Sequence, residues 1–243
     1  MNSAPNLINE GEYANVKGSD IRVMSLVGIA HFFSHFYIYL LPPLFPFLKT
    51  ALNVSYTELG LLMAVFSGTT GLTQIPFGFL VDRFGAKFIL IAGLAVEGIA
   101  FSCMGFAPGY PFLVALMFLA GAANGVYHPA DYAILSASVS KTRMGRAFSL
   151  HTFGGYAGFA VAGPVIIFLN STIGWSLGLL TCGVAGIGTA FVLMLYSRDL
   201  KHTVQRKDNV IDQKTKTKSS ADSGVKLLLS CLLYTSDAAD DET

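Results

Sequence analysis

Residues 21–197 form one unbroken stretch of 177 residues that holds only 11 of the chain's 31 charged side chains. The other 66 residues carry the remaining 20. Soluble domains are about 25% charged, whereas this chain of 243 residues is 13% charged and 53% hydrophobic. A run that long and that poor in charge cannot cover a water-facing surface, so its solvent is lipid. Crossing ~30 Å of hydrocarbon takes about 20 apolar residues in a helix, because only a helix or a closed barrel satisfies its own backbone there. The alternating ten-residue segments of a barrel are absent. Six helical spans are predicted, at Ile21–Leu48, Tyr56–Val81, Phe88–Ala107, Pro111–Val139, Ala147–Leu169 and Gly174–Ser197. The first is too long for one straight crossing, and Pro42, Pro43 and Pro46 are expected to kink its outer end.

Lysine and arginine set the orientation. With the N-terminus in the cytoplasm, the inner segments hold 14 of the 16 basic residues, and Lys49 alone lies outside; Lys226 falls in a later, incomplete apolar run. This is the positive-inside pattern. The expected location is therefore an inner (cell) membrane, bacterial, with residues 1–20 as a polar cytoplasmic tail. That tail has no apolar core or small-residue cleavage site, so it is no cleaved signal. A net charge of +1 gives no electrostatic basis for nucleic-acid binding.

Residues 198–224 are polar and lysine-rich and predict a flexible cytoplasmic linker. Val225–Leu233 begins a seventh apolar run that stops after nine residues, too few to cross a bilayer. The part at 225–230 reads as the start of a seventh helix. Residues 231–243 resemble one reading frame of a transposase-type sequencing adapter and are expected to be a non-native tail. Cys103, Cys182 and Cys231 have neither disulfide nor Cys-x-x-Cys spacing and predict apolar fillers. The sequons at Asn53 and Asn170 fit chance occurrence.

Between the second and third spans stands Gly78-Phe79-Leu80-Val81-Asp82-Arg83-Phe84-Gly85-Ala86-Lys87. Gly78 and Gly85 permit close packing and a reversal. Asp82 is an anion at a membrane boundary, where it can meet a helix N-terminus or a cation, and Arg83 and Lys87 hold the loop in the cytoplasm. This segment resembles the Gly-x-Leu-x-Asp-Arg-x-Gly-x-Lys loop of the major facilitator superfamily. Spans four and five follow the same layout in Gly121-Ala-Ala-Asn124-Gly125-Val-Tyr-His128-Pro129, Arg143-Met-Gly145-Arg146-Ala147, Gly154-Gly155-x-x-Gly158 and Gly163-Pro164. The spacing of Gly121 with Gly125, and of Gly154 with Gly158, suits close helix packing in lipid.

The resemblance implies an all-α membrane fold. Its six transmembrane helices form two three-helix repeats and make half of a twelve-helix carrier. It also implies that Asp82 and its loop latch the cytoplasmic side, a gating role. Aligning on Gly121, Gly125 and Pro129 puts Met117 where many proton-coupled members carry arginine, so coupling through that arginine is not implied here. His31 and the His128-Pro129 pair are similar to the fosmidomycin-resistance group of exporters.

Ionisable groups in mid-membrane cost about 2.5–3.5 kcal/mol on insertion scales, so they face a cavity or a partner. In the first span His31, His35 and Tyr39 recur at i, i+4 and i+8. In the fourth, Asn124, His128 and Asp131 recur at i, i+4 and i+7. In the superfamily these spans flank the central cavity, which makes His31, His35, Tyr39, Asn124 and His128 candidate solute contacts, with Asp131 tuning His128 or closing the inner gate. Imidazole titrates near pH 6.5, which allows coupling of solute to protons. Glu97 in the third span is either a proton carrier or a neutral acid bonded to a neighbour. His151 is expected to pack against a helix.

The predicted function is a secondary active transporter. It would move a small organic solute or drug by alternating access, driven by a proton or other ion gradient, since no nucleotide-binding loop is present. Its partners would be the solute, the ion and the bilayer, and it would act as a monomer with a second half. No enzyme activity, cofactor or metal ligand is assigned. Two other readings remain: an intramembrane metal-binding protein, from the His31-x-x-x-His35 spacing, and a membrane sensor that moves no solute.

Overall fold

A computed structural model describes residues 10–200, and these are helical nearly throughout. The chain divides into a first unit, Met1–Thr203, and a second, Val204–Thr243. The predicted linker beyond residue 200, the seventh apolar run and the tail at 231–243 lie outside the described residues.

Helix α1, Glu10–Leu40, begins inside the segment expected to be a tail. Glu10, Glu12, Ala14 and Lys17 are good helix formers, and nothing in the stretch stops the helix. It ends where the prolines begin. Pro42–Leu44 forms one 3-10 turn, and Pro46 sits in the first turn of α2, Phe45–Leu52, where its missing N–H is not needed. Asn53 closes α2 in the left-handed conformation (φ 53°). A capping box then opens α3, Tyr56–Phe84: the Glu58 amide donates to Ser55 Oγ at 3.2 Å, and the Ser55 amide donates to Glu58 Oε2 at 2.7 Å.

Gly85 turns α3 into α4, Ala86–Met104, at φ 94°, a backbone region open to glycine. The predicted fourth span is two helices, α5 (Tyr110–Asn124) and α6 (Tyr127–Ser138). The fifth and sixth join into α7, Met144–Leu195, which Gly174 breaks into two arms at φ 82° and ψ 159°.

Four helical stretches are long and apolar enough to cross a membrane: Gly18–Leu52, Ala86–Met104, Tyr110–Ser138 and Lys141–Leu195. The predicted count is six. Two of the six lie in the last stretch, whose 55 residues contain the break at Gly174. The other, α3, has 29 residues, but Ser67, Thr69, Thr70, Thr73 and Gln74 lower its apolarity.

Glycine contacts set the packing. A Cβ on Gly121 would strike the backbone of Phe66, and one on Gly125 would strike Thr73 Oγ1, so α5 lies directly on α3. Thr70 Oγ1 donates across that seam to the Gly121 carbonyl at 3.0 Å. The first arm of α7 lies on α1 in the same way, Gly154 against Gly28 and Gly158 against Phe32. The second arm meets α4 at Gly183 and Gly98 and reaches α1 at Tyr37, whose ring stacks on Phe101 at 4.5 Å. Gly78, by contrast, sits inside α3, where a Cβ would meet nothing within 4 Å among the described residues. The outer surface is apolar: Leu72, Ile75 and Phe79 on α3 are 79%, 74% and 71% exposed. In water such a face would drive aggregation; in lipid it is the solvated side.

Candidate functional site

Four of the five histidines converge between α1, α6 and the first arm of α7. His31 and His35 come from α1, His128 from α6 and His151 from α7. The His31 ring stacks on His151 at 3.6 Å between centroids, lies 4.5 Å from His35 and 5.2 Å from His128. Gly155 makes the room. A Cβ there would come within 3.0 Å of both His31 Cδ2 and His35 Cε1.

Asp131, fully buried, sits beneath the rings. Its Oδ2 lies 3.0 Å from His151 Nε2, in hydrogen-bonding geometry, and 3.2 Å from His31 Nδ1, without the alignment of a hydrogen bond. Nδ1 of His35, Nδ1 of His128 and Oδ1 of Asp131 are buried without a hydrogen-bond partner among the described residues. Each such orphan costs about 1–3 kcal/mol, so the cluster holds more polar capacity than the protein itself uses. One ring nitrogen each from His31, His128 and His151 lie within 4.8 Å of one another. Two exposed tyrosines border these rings: Tyr132 lies 5.7 Å from His128, and Tyr39 meets Phe159, the ring that also packs on His35, at 5.1 Å. An apolar groove of about 430 Å³ opens nearby between α1 and α7, lined by Ile29, Phe32, Phe153 and Ala157 among others and by none of the imidazoles.

Asn124 stands apart from this cluster. The i, i+4, i+7 stripe presumes one continuous helix, but α5 ends at Asn124 and α6 starts at Tyr127. Across that break Asn124 joins a different buried network. Its Nδ2 donates to Glu97 Oε1 at 2.9 Å and contacts Ser34 O and Oγ at 3.2 and 3.1 Å. Tyr127 donates its hydroxyl to Glu97 Oε2 at 2.7 Å. Glu97 is wholly buried and held by Asn124 of α5 and Tyr127 of α6, with no hydrogen bond to an imidazole among the described residues.

The loop residues are placed simply. Asp82 and Arg83 are exposed at the end of α3, Arg83 over the Phe84 ring at 5.4 Å, and Lys87 is half-buried in the first turn of α4. Sequence reasoning missed Ser34, Tyr127 and Asp20, and read His151 as packing against a helix. Asp20 is 2% exposed near the polar end of α1. It accepts hydrogen bonds from Ser140 Oγ at 2.5 Å and the Ser140 amide at 3.3 Å, with Arg143 Nη1 at 3.5 Å. His151 lies four and seven residues before Gly155 and Gly158 and shares their face, and those glycines meet α1, which brings its ring onto His31.

Helices apolar on the outside, with acids and imidazoles gathered within, define an integral membrane protein. The chain belongs to the Major Facilitator Superfamily, whose family model matches residues 27–235. Among curated relatives it is similar to the uncharacterized transporter YybO of Bacillus subtilis, 25% identical over 65% of this chain and 36% of that protein. It is equally similar to a probable L-galactonate transporter of Escherichia coli, 25% identical over 64% of this chain and 34% of that one. The chain thus spans about a third of the length of these relatives. Among solved structures, a bacterial homolog of the human lysosomal transporter Spinster, inward-facing and occupied, superposes with a TM-score of 0.64 at 18% identity, over 76% of this chain and 46% of that one. That likeness carries the fold.

Proposed function

We propose that this chain is the solute-contacting half of a secondary active transporter, six spans in two three-helix repeats, that moves a small polar organic solute by alternating access. The observation that carries the reading is the convergence of four imidazoles on one buried carboxylate, in a member of this superfamily. His35, His128 and Tyr39, on the less buried side of the cluster, are the proposed solute contacts. His31, His151 and Asp131 lie behind them. Imidazoles that gain a proton complement a carboxylate, so a small organic acid is the favoured cargo class, and the relative named for L-galactonate supports that choice. An apolar drug would meet less complementary chemistry here. An ion gradient supplies the energy, and the loop of Asp82 and Arg83 gates the cytoplasmic side.

Engineered thiols test this. With the native cysteines changed to serine, His35→Cys or His128→Cys in membrane vesicles is expected to react with a membrane-impermeant thiol reagent from one side. Phe118→Cys, on a 60% exposed apolar position, is expected not to react. If neither 35 nor 128 reacts from either side, no aqueous slot exists and the reading fails. In the carrier with both halves, His35→Ala and His128→Ala are each expected to lower uptake at least tenfold while leaving the protein in the membrane.

A further inference from the structure

We infer that His31, His128 and His151 form a binding site for a divalent transition-metal ion, with Asp131 hydrogen-bonded to His151 and close to His31. Three helices contribute, so the donors are far apart in sequence and meet only in the fold. Neutral imidazole is a common ligand for zinc and its neighbours in the series, and three imidazoles leave an open position on a four-coordinate ion. One ring nitrogen from each residue already lies within 4.8 Å of the other two. At metal–nitrogen bonds of about 2.0–2.1 Å, two ligands of a tetrahedral ion are roughly 3.4 Å apart. Closing the present separations therefore takes side-chain shifts of about an ångström.

The surroundings suit such an ion. His31 and His151 are 2% and 3% exposed, which keeps water from competing on that side. Asp131 Oδ2 is 3.0 Å from Nε2 of His151 and 3.2 Å from Nδ1 of His31. A carboxylate on the far nitrogen of a ligating ring is the usual outer-shell partner of a metal-bound histidine, fixing its tautomer and orientation. The unpartnered Nδ1 of His128 is polar capacity that an ion would take up. The site differs from the His31-x-x-x-His35 pair, since His35 meets Phe159 instead, 4.3 Å between ring centroids. It shares His128 with the transport reading and is separated from it by its readout, since ion binding is measured at equilibrium without transport.

The test uses the full 243-residue chain purified in detergent without a polyhistidine tag. Dialysed against zinc, it is expected to retain one ion per chain. Cobalt in place of zinc is expected to give the intense visible absorption of a four-coordinate nitrogen site. His151→Ala, His128→Ala and His31→Ala are each expected to abolish stoichiometric binding, and Asp131→Asn to weaken it by about 10–100-fold. His151→Gln keeps a donor for Asp131 and so guards against a variant that merely fails to fold; it too is expected to lose the ion. Absence of stoichiometric zinc in the unaltered chain overturns the proposal, as does binding that survives His151→Gln and His128→Ala.

Discussion

Glu97 shows what one buried acid demands of its neighbours. Both of its carboxylate oxygens are engaged, one by Asn124 and one by Tyr127, and Asn124 in turn contacts Ser34. Removing the acid leaves the Tyr127 hydroxyl buried without its acceptor, at about 1–3 kcal/mol, and leaves the Asn124 amide with Ser34 alone. Glu97→Ala is therefore expected to lower the thermal unfolding midpoint in detergent clearly, whereas Glu97→Gln keeps an acceptor for one partner and loses less. An equal loss in both would mean that the network contributes shape alone. The same accounting separates Glu97 from Asp131. Glu97 is matched by donors, while Asp131 keeps an orphaned oxygen, and that asymmetry is the reason the imidazole cluster and not the glutamate is read as a ligand site.

At the scale of elements, close approach between helices governs stability. Lipid gives little hydrophobic drive for helix association, so small residues and hydrogen bonds across the seam carry it. Gly158 touches the backbone of Phe32, and an added methyl group has no room there. Gly158→Ala is expected to push α7 off α1, destabilise the protein by about 1–3 kcal/mol and disturb His31 and His151, which lie on the same seam. Gly68 on α3 faces open space; Gly68→Ala is expected to be neutral or to stabilise by about 0.5–1 kcal/mol through helix propensity. Thermal unfolding of the two variants side by side checks this, and equal effects would remove the seam from the account. Asp20 is a second tie of this kind, joining the polar end of α1 to the turn at Ser140 that leads into α7.

For the molecule as a whole, the proposed topology follows from the basic residues. With the N-terminus inside, the turn at Asn53 lies outside and the turn at Gly85 inside. Alkaline phosphatase fused after residue 54 is expected to be active in a bacterial host, and fused after residue 85 to be inactive. The reverse pattern would invert the protein and move the Asp82 loop to the other side of the membrane.

Much of this was legible in the residues themselves. The apolar stretches, the prolines that end α1 and the glycines at Gly85 and Gly174 follow from local rules, because backbone satisfaction in lipid and the steric limits of φ act within a few residues. The loop around Asp82 pointed to the superfamily that the chain belongs to. The site was not legible to the same degree. Spacing along one helix placed His31 and His35 together but also put Asn124 in line with His128, because periodicity cannot foresee the break at Gly125. It left His151 as packing, since nothing local says which helix a glycine face will meet. Which imidazoles share Asp131 depends on how α1, α6 and α7 pack. That is decided by contacts over more than a hundred residues of separation, such as His31 on His151, and only the assembled helices could settle it.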